Sequence, residues 1–300
     1  MFVWQAHRGR IRSLAFSPDG SLLATATGTG RLVPLWNPST GELVRKLAPP
    51  TSGGVWSVAF APDAPRVAAG VGSEVCVWDA VSGLPTVILA ARERYTGPYY
   101  ELAFGRGASA PLAGAGSRGS CLWSSEPGGV APADRRLPNV TIRTDHTACL
   151  DFAPDGSRLA TNELAKVELC DPATGTAARS FTHTHSRHHG PVKFSPDGAR
   201  LAVGYRNTLS VYPADGDGPP VHCQGHTNAV WAACWSSDGR TLLTASADGT
   251  ARLWDPTTGA ELRSFAWGIG EIRAAAFSAD GLLGAAAGAD GKVVVWDVDA

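Results

Sequence analysis

The histidines are the side chains in this sequence whose clustering most directly suggests chemistry. The chain contains eight histidines, and four of them lie in the stretch FTHTHSRHHG at residues 181–190: His183, His185, His188 and His189. Clustered imidazoles can bind zinc or another transition metal, and they can also be incidental members of a loop. Which alternative applies depends on where this stretch lies in the fold.

Two other stretches carry residue types that could bind a metal or a cofactor. VHCQGH contains His222, Cys223 and His226, and GAGSRG at residues 114–119 matches the pattern G-x-G-x-x-G. A dinucleotide site requires that pattern between a strand and a helix, and no helical periodicity follows it here. The sequence contains neither H-E-x-x-H nor a nucleophile elbow. We therefore expect no catalytic residue, no cofactor and no metal.

The composition excludes several other classes of function. The chain has 26 basic and 27 acidic residues, a formal net charge of -1, so it has no electrostatic bias towards nucleic acid or an anionic membrane. No apolar run is long enough to span a membrane, and the first residues contain no signal-peptide pattern. None of the six cysteines has C-x-x-C spacing, which favours buried thiols in a reducing compartment. These features predict a cytoplasmic protein.

The sequence repeats itself seven times. FSPDG occurs twice, and FAPDA, FAPDG, WSSDG and FSADG are its variants, with a degenerate copy at ELAFGRG. The aromatic residues that mark the copies are 41 to 48 residues apart: Phe16, Phe60, Phe104, Phe152, Phe194, Trp235 and Phe277. Seven units at this period indicate a repeat architecture.

Each repeat is predicted to form four short strands. In the first copy these are IRSLAF, SLLATAT, RLVPLW and ELVRKL, separated by turns such as SPDG and NPSTG. A single four-stranded sheet cannot bury both faces, whereas seven such blades around an axis can. We therefore predict an all-β, seven-bladed β-propeller of four-stranded antiparallel blades, forming one domain over residues 1–300.

These repeats resemble the WD-40 family of β-propellers over nearly the whole chain. The pairs Trp78-Asp79, Trp254-Asp255 and Trp296-Asp297 carry the resemblance, together with the copy from Gly225 to Asp255. The resemblance implies a hydrogen-bonded tetrad inside each complete blade. In this sequence the tetrad corresponds to His226, Ser246, Asp248 and Trp254 of blade six, the single complete copy; blades three to five are degenerate.

The repeat register also places the chain ends and the histidine cluster. The last repeat ends after its third strand, so we expect Phe2–Gln5 to supply the missing fourth strand and close the ring. His185 lies nine residues before Phe194, as His226 lies nine before Trp235. The cluster is thus predicted to be one inter-blade loop, with His185 in the structural histidine position and no metal bound.

The resemblance implies that partners bind the face where the first strands begin. Its exposed residues lie four and six positions before each aromatic marker, and Tyr205 projects from a neighbouring loop. Four positions before the marker are Arg12, Trp56, Tyr100, Ala148, Gly190, Trp231 and Arg273. Six positions before it are Arg10, Gly54, Pro98, His146, His188, Ala229 and Glu271. Aromatic and arginine side chains dominate the energetics of protein interfaces, although Trp56 and Trp231 could instead pack against adjacent blades.

The sequence therefore predicts a non-catalytic scaffold that binds a protein or peptide partner on this face, as a monomer or within a hetero-complex. One alternative is a propeller enzyme or small-ligand binder that uses the central funnel, and three or more converging polar groups there with shifted pKa values would favour it. Another alternative is a regulatory module of a larger protein.

Overall fold

The computed structural model forms a ring of seven β-sheets, each built on four antiparallel strands. It describes residues 1–90, 97–106, 111–116, 119–123, 135–136, 140–142, 147–163, 166–182, 190–215 and 217–298. The predicted seven-bladed, all-β fold is confirmed. Among the residues described, no helix has the length and apolar character needed to cross a membrane.

The strands follow one another through the blades in chain order, from the inner strand outwards. Blades one and two contain β2 (Ser13–Phe16), β3 (Leu23–Ala26), β4 (Val33–Trp36), β5 (Leu43–Leu47), β6 (Val55–Phe60), β7 (Arg66–Val71), β8 (Glu74–Asp79) and β9 (Pro85–Ala90). Blades three and four contain β10 (Tyr99–Phe104), β11 (Leu112–Gly116), β12 (Gly119–Trp123), β14 (Val140–Ile142), β15 (Thr147–Phe152), β16 (Leu159–Glu163), β17 (Lys166–Cys170) and β18 (Ala177–Thr182).

Blades five to seven continue the same order. They contain β19 (Val192–Phe194), β20 (Arg200–Tyr205), β21 (Thr208–Pro213), β22 (Val221–Gln224), β23 (Val230–Trp235), β24 (Leu242–Ser246), β25 (Thr250–Trp254), β26 (Glu261–Ala266), β27 (Ile272–Phe277), β28 (Leu283–Gly288) and β29 (Lys292–Asp297). The remaining strands are β1 (Phe2–Gln5) and β13 (Arg135–Arg136).

The first residues of the chain close the ring. β1 pairs antiparallel with β29, with Phe2 opposite Val295 and Gln5 opposite Lys292, so the sheet order of blade seven is β1-β29-β28-β27. The predicted closing strand is therefore confirmed over the residues expected. The side-chain amide of Gln5 also donates hydrogen bonds to the backbone carbonyls of Asp290 and His7, which fixes the strand at its end.

The hydrophobic core lies between the blades rather than within any one of them. Among the described residues, one buried apolar cluster fills the space between each pair of neighbouring blades. The cluster that joins blade seven to blade one contains Ile11, Leu14 and Phe16 from one side and Val293 and Val295 from the other. Each blade therefore depends on both neighbours to bury its two faces.

The side chains of the SPDG motif themselves stabilise its turn. Ser17 donates its hydroxyl proton to Asp19 Oδ1 at 2.6 Å and accepts a hydrogen bond from the backbone of Leu22 at 2.9 Å. Gly20 follows with φ of 70°, a conformation that glycine adopts without steric cost. Hydrogen bonds from Ser17 and Ser21 hold the pKa of Asp19 below its usual value. The acidic residue at this turn therefore shapes the backbone.

One strand departs from the predicted pattern of four per blade. β13, which lies between β12 and β14 in the sequence of blade three, pairs in parallel with β9 of blade two, placing Arg135 opposite Ile88. Blade two is therefore a five-stranded sheet. The two-residue length of β13 and its parallel pairing leave no alternating apolar pattern by which the sequence could have predicted it.

Deletion of residues 1–5 tests the role of ring closure in stability. We expect the melting temperature to fall by several degrees, because the deletion leaves the edge of β29 unpaired and removes the partly buried Trp4, which packs in the cluster between blades seven and one. Differential scanning calorimetry measures the effect. A truncated protein that melts within about 1 °C of the parent would show that closure by β1 is dispensable.

Candidate functional site

The face where the first strands begin is shaped by a repeated β-bulge. In blades two, three, four, six and seven, one residue near the start of the first strand has no partner on the second strand. In each case it is the residue four positions before the aromatic marker: Trp56, Tyr100, Ala148, Trp231 and Arg273. A bulge re-aims the side chain of the extra residue. The sequence identified these positions, but the bulge that sets their direction is a finding of the structure.

Three of the predicted face residues stack in a row across blades three, two and one. Tyr100 and Trp56 meet edge to face, with ring centroids 5.6 Å apart, and the guanidinium of Arg12 lies 4.8 Å from the centroid of the Trp56 ring. Tyr100 is 42% exposed, Arg12 is exposed and Trp56 is half-buried. The indole therefore contacts side chains of the face itself, and part of it remains accessible to a partner.

A second stack lies across blades seven and six. The guanidinium of Arg273 lies 4.4 Å from the centroid of the Trp231 ring, and Arg273 Nη2 donates to Glu271 Oε2 at 2.9 Å. Arg10 Nη1 lies 3.7 Å from the same carboxylate oxygen. Burial and the charges of Arg273 and Arg10 lower the pKa of Arg12, so the two stacks are close enough to interact electrostatically.

We call Tyr100, Trp56, Arg12, Arg273 and Trp231 the aromatic–arginine arc. The arc surrounds the mouth of a central cavity of about 790 Å³, which the first strands of all seven blades line. Two neighbouring guanidinium groups lie here with aromatic rings on either side, an arrangement that offers apolar contact, cation–π contact and hydrogen-bond donors on one surface. Five predicted face residues from five consecutive blades are thus brought together.

The other predicted face residues lie around this arc or outside the described part of the chain. Arg10 and Glu271 join the arc at blades one and seven, and Pro98 is half-buried just before β10. Tyr205, expected in a loop, is instead the last residue of β20 and pairs with Thr208 of β21, and the guanidinium of Arg206 lies 5.7 Å from the centroid of its ring. His146 and His188 lie outside the described residues, as does the whole histidine cluster from His183 to His189.

A charged cluster lies deeper in the cavity, and the sequence analysis did not identify it. Lys193 Nζ donates to Glu101 Oε1 at 2.5 Å and lies 3.6 Å from Asp151 Oδ1. Asp151 Oδ2 accepts a hydrogen bond from the backbone of Phe194 at 2.8 Å. We call Glu101, Asp151 and Lys193 the channel cluster. The signal was present, because each is a charged residue inside the first strand of a blade, where other blades have alanine, serine, cysteine or proline.

The protonation of the channel cluster is set by burial and by mutual attraction. Burial raises the pKa of Asp151, and Lys193 partly offsets that effect. Burial opposes a charge on Lys193, but Glu101 and Asp151 outweigh it and raise the pKa of the ammonium group. Burial also raises the pKa of the neighbouring Cys149 thiol, which keeps this cysteine protonated and weakly nucleophilic. Because Glu101, Asp151 and Lys193 belong to blades three, four and five, their ion pairs connect these three blades.

The structure corrects one member of the predicted tetrad in blade six. Trp254 Nε1 donates to Thr244 Oγ1 at 2.8 Å, and the Thr244 hydroxyl contacts His226 Nε2 at 2.8 Å. His226 Nδ1 contacts Asp248 Oδ2 at 2.8 Å. Ser246 was expected at the hydroxyl position, but its Oγ donates to the backbone carbonyl of Asn228 at 3.0 Å and accepts from the backbone of Asp248.

The direction of donation fixes the state of the histidine. Because ionised Asp248 can only accept, His226 Nδ1 carries the imidazole proton that goes to Asp248, and Nε2 of the neutral ring accepts from the Thr244 hydroxyl. Burial lowers the pKa of His226, so the ring is neutral. Although burial opposes it, hydrogen bonds from Thr250 and His226 lower the pKa of Asp248 to about 2. A neutral His226 and an ionised Asp248 are compatible with this series of hydrogen bonds from Trp254 to Asp248.

The same series of hydrogen bonds is present in part in blade one and is absent from the described parts of blades two and seven. Trp36 Nε1 donates to Thr25 Oγ1 at 2.9 Å, and Thr25 contacts His7 Nε2 at 2.8 Å. Trp78 of blade two and Trp296 of blade seven occupy the tryptophan position, but their buried Nε1 atoms have no hydrogen-bond partner among the described residues. The strand registers put alanine where blades one and six have threonine.

The fold and this face define a β-propeller with an aromatic and cationic entrance to its central cavity. The family model described as "WD domain, G-beta repeat" matches residues 1–37, 41–79, 218–255 and 262–297, half of the chain, and the chain belongs to this family. Propellers of this family are generally protein-interaction scaffolds. The matched segments correspond to blades one, two, six and seven, which carry four of the five arc residues.

Proteins from several organisms are similar to this chain. Echinoderm microtubule-associated protein-like 3 of Homo sapiens is 26% identical over 272 residues, which are 85% of this chain and 28% of that protein. The guanine nucleotide-binding protein subunit beta of Arabidopsis thaliana is 22% identical over 319 residues, covering 83% of this chain and 81% of that protein. WD repeat-containing protein 1 of Xenopus tropicalis is 39% identical over 90 residues, covering 28% of this chain and 14% of that protein.

Replacement of Thr244 by valine tests the corrected tetrad. Thr244→Val leaves the buried Trp254 and His226 nitrogens short of a partner, so we expect a loss of about 1–3 kcal/mol in the free energy of unfolding. The same substitution at exposed Thr227 should change it by less than about 0.5 kcal/mol. Urea unfolding midpoints measure both. Equal losses in the two variants would contradict the assignment of Thr244.

Proposed function

We propose that this chain is a non-catalytic scaffold, acting as one domain over residues 1–300, that binds a protein or peptide partner on the face carrying the aromatic–arginine arc. The observation that supports this most strongly is the convergence of Tyr100, Trp56, Arg12, Arg273 and Trp231 at one cavity mouth. Their side chains are re-aimed by bulges or by the strand start, and the indoles are half-buried rather than enclosed in the core.

The chemistry of these groups fits recognition of a polypeptide. A half-buried indole presents a large rigid surface at low entropic cost, and guanidinium groups bind carboxylates or peptide carbonyls in fixed geometry. The other predicted members of this binding face are Arg10, Pro98, His146, His188, Tyr205 and Glu271. The proposal assigns most of the binding free energy to the arc, because hot-spot residues are typically few and central.

The channel cluster supports a second candidate, a small-ligand site or enzyme in the central cavity. Glu101, Asp151 and Lys193 converge there beside Cys149, and the pKa values of Asp151, Lys193 and Cys149 are shifted, so the three converging groups expected of such a site are present. We rank it second because Lys193 is held in its charged form by two carboxylates and the Cys149 thiol stays protonated. Neither group is poised as a nucleophile or as a base near neutral pH.

A double substitution on the arc tests the proposed function. Trp231→Ala with Arg273→Glu should abolish capture of partners from native lysate, since truncating a hot-spot aromatic residue costs about 2 kcal/mol or more, roughly thirtyfold in affinity. Far-UV circular dichroism and melting temperature should stay near parent values. Quantitative mass spectrometry of the captured proteins is the measurement.

Two control variants make the result specific. Leu262→Ala with Arg263→Glu makes the same kind of change at exposed residues of the outer strand β26 and should leave capture intact. Lys193→Met alters the channel cluster and should also leave capture intact; because it removes the counter-ion of Glu101 and Asp151, its circular dichroism must match that of the parent before capture is compared. Undiminished capture by the arc variant would move the binding surface elsewhere, and loss of capture with Lys193→Met alone would favour the cavity.

A further inference from the structure

The seam between blades seven and one carries an excess of positive charge at the cavity mouth. Arg10 and Arg12 lie just before β2, the first strand of blade one, and Arg273 lies in β27, the first strand of blade seven. Glu271 is the one carboxylate that the described part of the chain pairs with them. Three guanidinium groups and one carboxylate leave a local charge of +2. In contrast, the whole chain has a formal net charge of -1.

These guanidinium groups repel one another in the free protein. The pKa of Arg12 is lowered by burial and then by the charges of Arg273 and Arg10, which means that the cationic form of Arg12 is less stable here than in water. Arg12 gains some relief from the face of Trp56, at 4.8 Å. An anionic group bound at the seam would relieve the remaining repulsion.

Glu271 already occupies the position that such an anionic group would take. Its Oε2 accepts from Arg273 Nη2 at 2.9 Å and lies 3.7 Å from Arg10 Nη1. The Glu271 side chain is 39% exposed and that of Arg10 is 43% exposed, so this ion pair is in contact with solvent and can exchange. The geometry accepts one carboxylate between two guanidinium groups.

The stack of Arg273 on Trp231 is held at a cost that a partner could remove. Arg273 Nε and Trp231 Nε1 are both buried, and neither has a hydrogen-bond acceptor among the described residues. Buried donors without acceptors are unfavourable. If Arg273 turns outwards to an external carboxylate, its Nε reaches water or the partner, and the indole face that the guanidinium covers becomes available for an apolar side chain.

We propose that the seam binds an acidic segment of a protein partner, whose aspartate or glutamate carboxylate takes the place on Arg273 and Arg10 that Glu271 holds in the free protein. This inference rests on the proposed function, because it gives the chemistry of the partner for the same face. Trp231 and Trp56 flank the seam and take the apolar side chains of the segment. The small size of the cationic cluster and the net charge of the chain favour a short acidic peptide over a nucleic acid.

A displayed library of random dodecamer peptides tests the charge of the partner. Selections on the parent protein and on Trp231→Ala identify the peptides whose binding depends on the arc. We expect aspartate and glutamate in that set to be enriched about threefold or more over the starting library. Arc-dependent peptides with no acidic enrichment, or with basic enrichment, would overturn this inference and leave the proposed function standing. No arc-dependent peptide at all would overturn both.

The selected acidic peptide then serves as the probe for the role of Glu271. Glu271→Gln should tighten its binding about three- to tenfold, because the internal competitor is lost, and Arg273→Glu should weaken it at least tenfold. Glu261→Gln is the matched control, since Glu261 pairs with Arg252 at 2.6 Å on the outer part of blade six, and it should leave affinity unchanged. Fluorescence anisotropy measures the three dissociation constants.

Two further arms identify the source of the negative charge. Replacement of the acidic residues of the peptide by asparagine and glutamine should abolish binding. A ten-nucleotide single-stranded RNA should displace the peptide only at much higher concentration than unlabelled peptide does. Unchanged or weaker binding by Glu271→Gln, or displacement by RNA at concentrations comparable to peptide, would overturn the proposal.

Discussion

The pairing of β1 with β29 is the constraint on which the rest of this structure depends. Each blade buries its two faces against neighbours, so a ring of seven blades is complete only when the last packs on the first. The pairing of Phe2–Gln5 with Lys292–Val295 locks that contact. It also brings Arg10 and Arg12, early in the chain, beside Glu271 and Arg273, more than 250 residues later. Closure of the ring thus builds the cationic part of the binding face.

The blades differ in the side-chain hydrogen bonds and ion pairs that stabilise them. In the described part of the chain, the blades with degenerate repeats lack the tetrad hydrogen bonds. Blade six has the full Trp–Thr–His–Asp chain and blade one has three members of it. Blade four keeps the threonine as Thr161, but its buried hydroxyl has no partner among the described residues, because Cys170 stands at the tryptophan position. Blades three to five are joined instead by the ion pairs of Lys193, which cross between blades.

Sequence alone predicted the parts of the molecule that depend on periodicity. The aromatic markers gave the number of blades, and counting back from them located Trp231 and Arg273. The sequence could not distinguish Thr244 from Ser246 as the hydroxyl of the tetrad. Residues two apart on a strand point to the same face, and only the blade geometry decides which hydroxyl reaches Trp254. Nor could the sequence predict the bulges, which add a residue without a signature in this sequence, or the pairing of β13 with β9, which joins distant segments.

Hydrogen–deuterium exchange of the protein, free and saturated with its captured partner, tests the central claim that one ring face forms the binding site. The account predicts that partner binding slows exchange at the start of the first strands in blades one, two, three, six and seven, around residues 10–14, 54–58, 98–102, 229–233 and 271–275. The outer strands β5 and β26 should exchange at unchanged rates. Protection confined to the outer strands, or to the SPDG turns where each first strand ends, would contradict it.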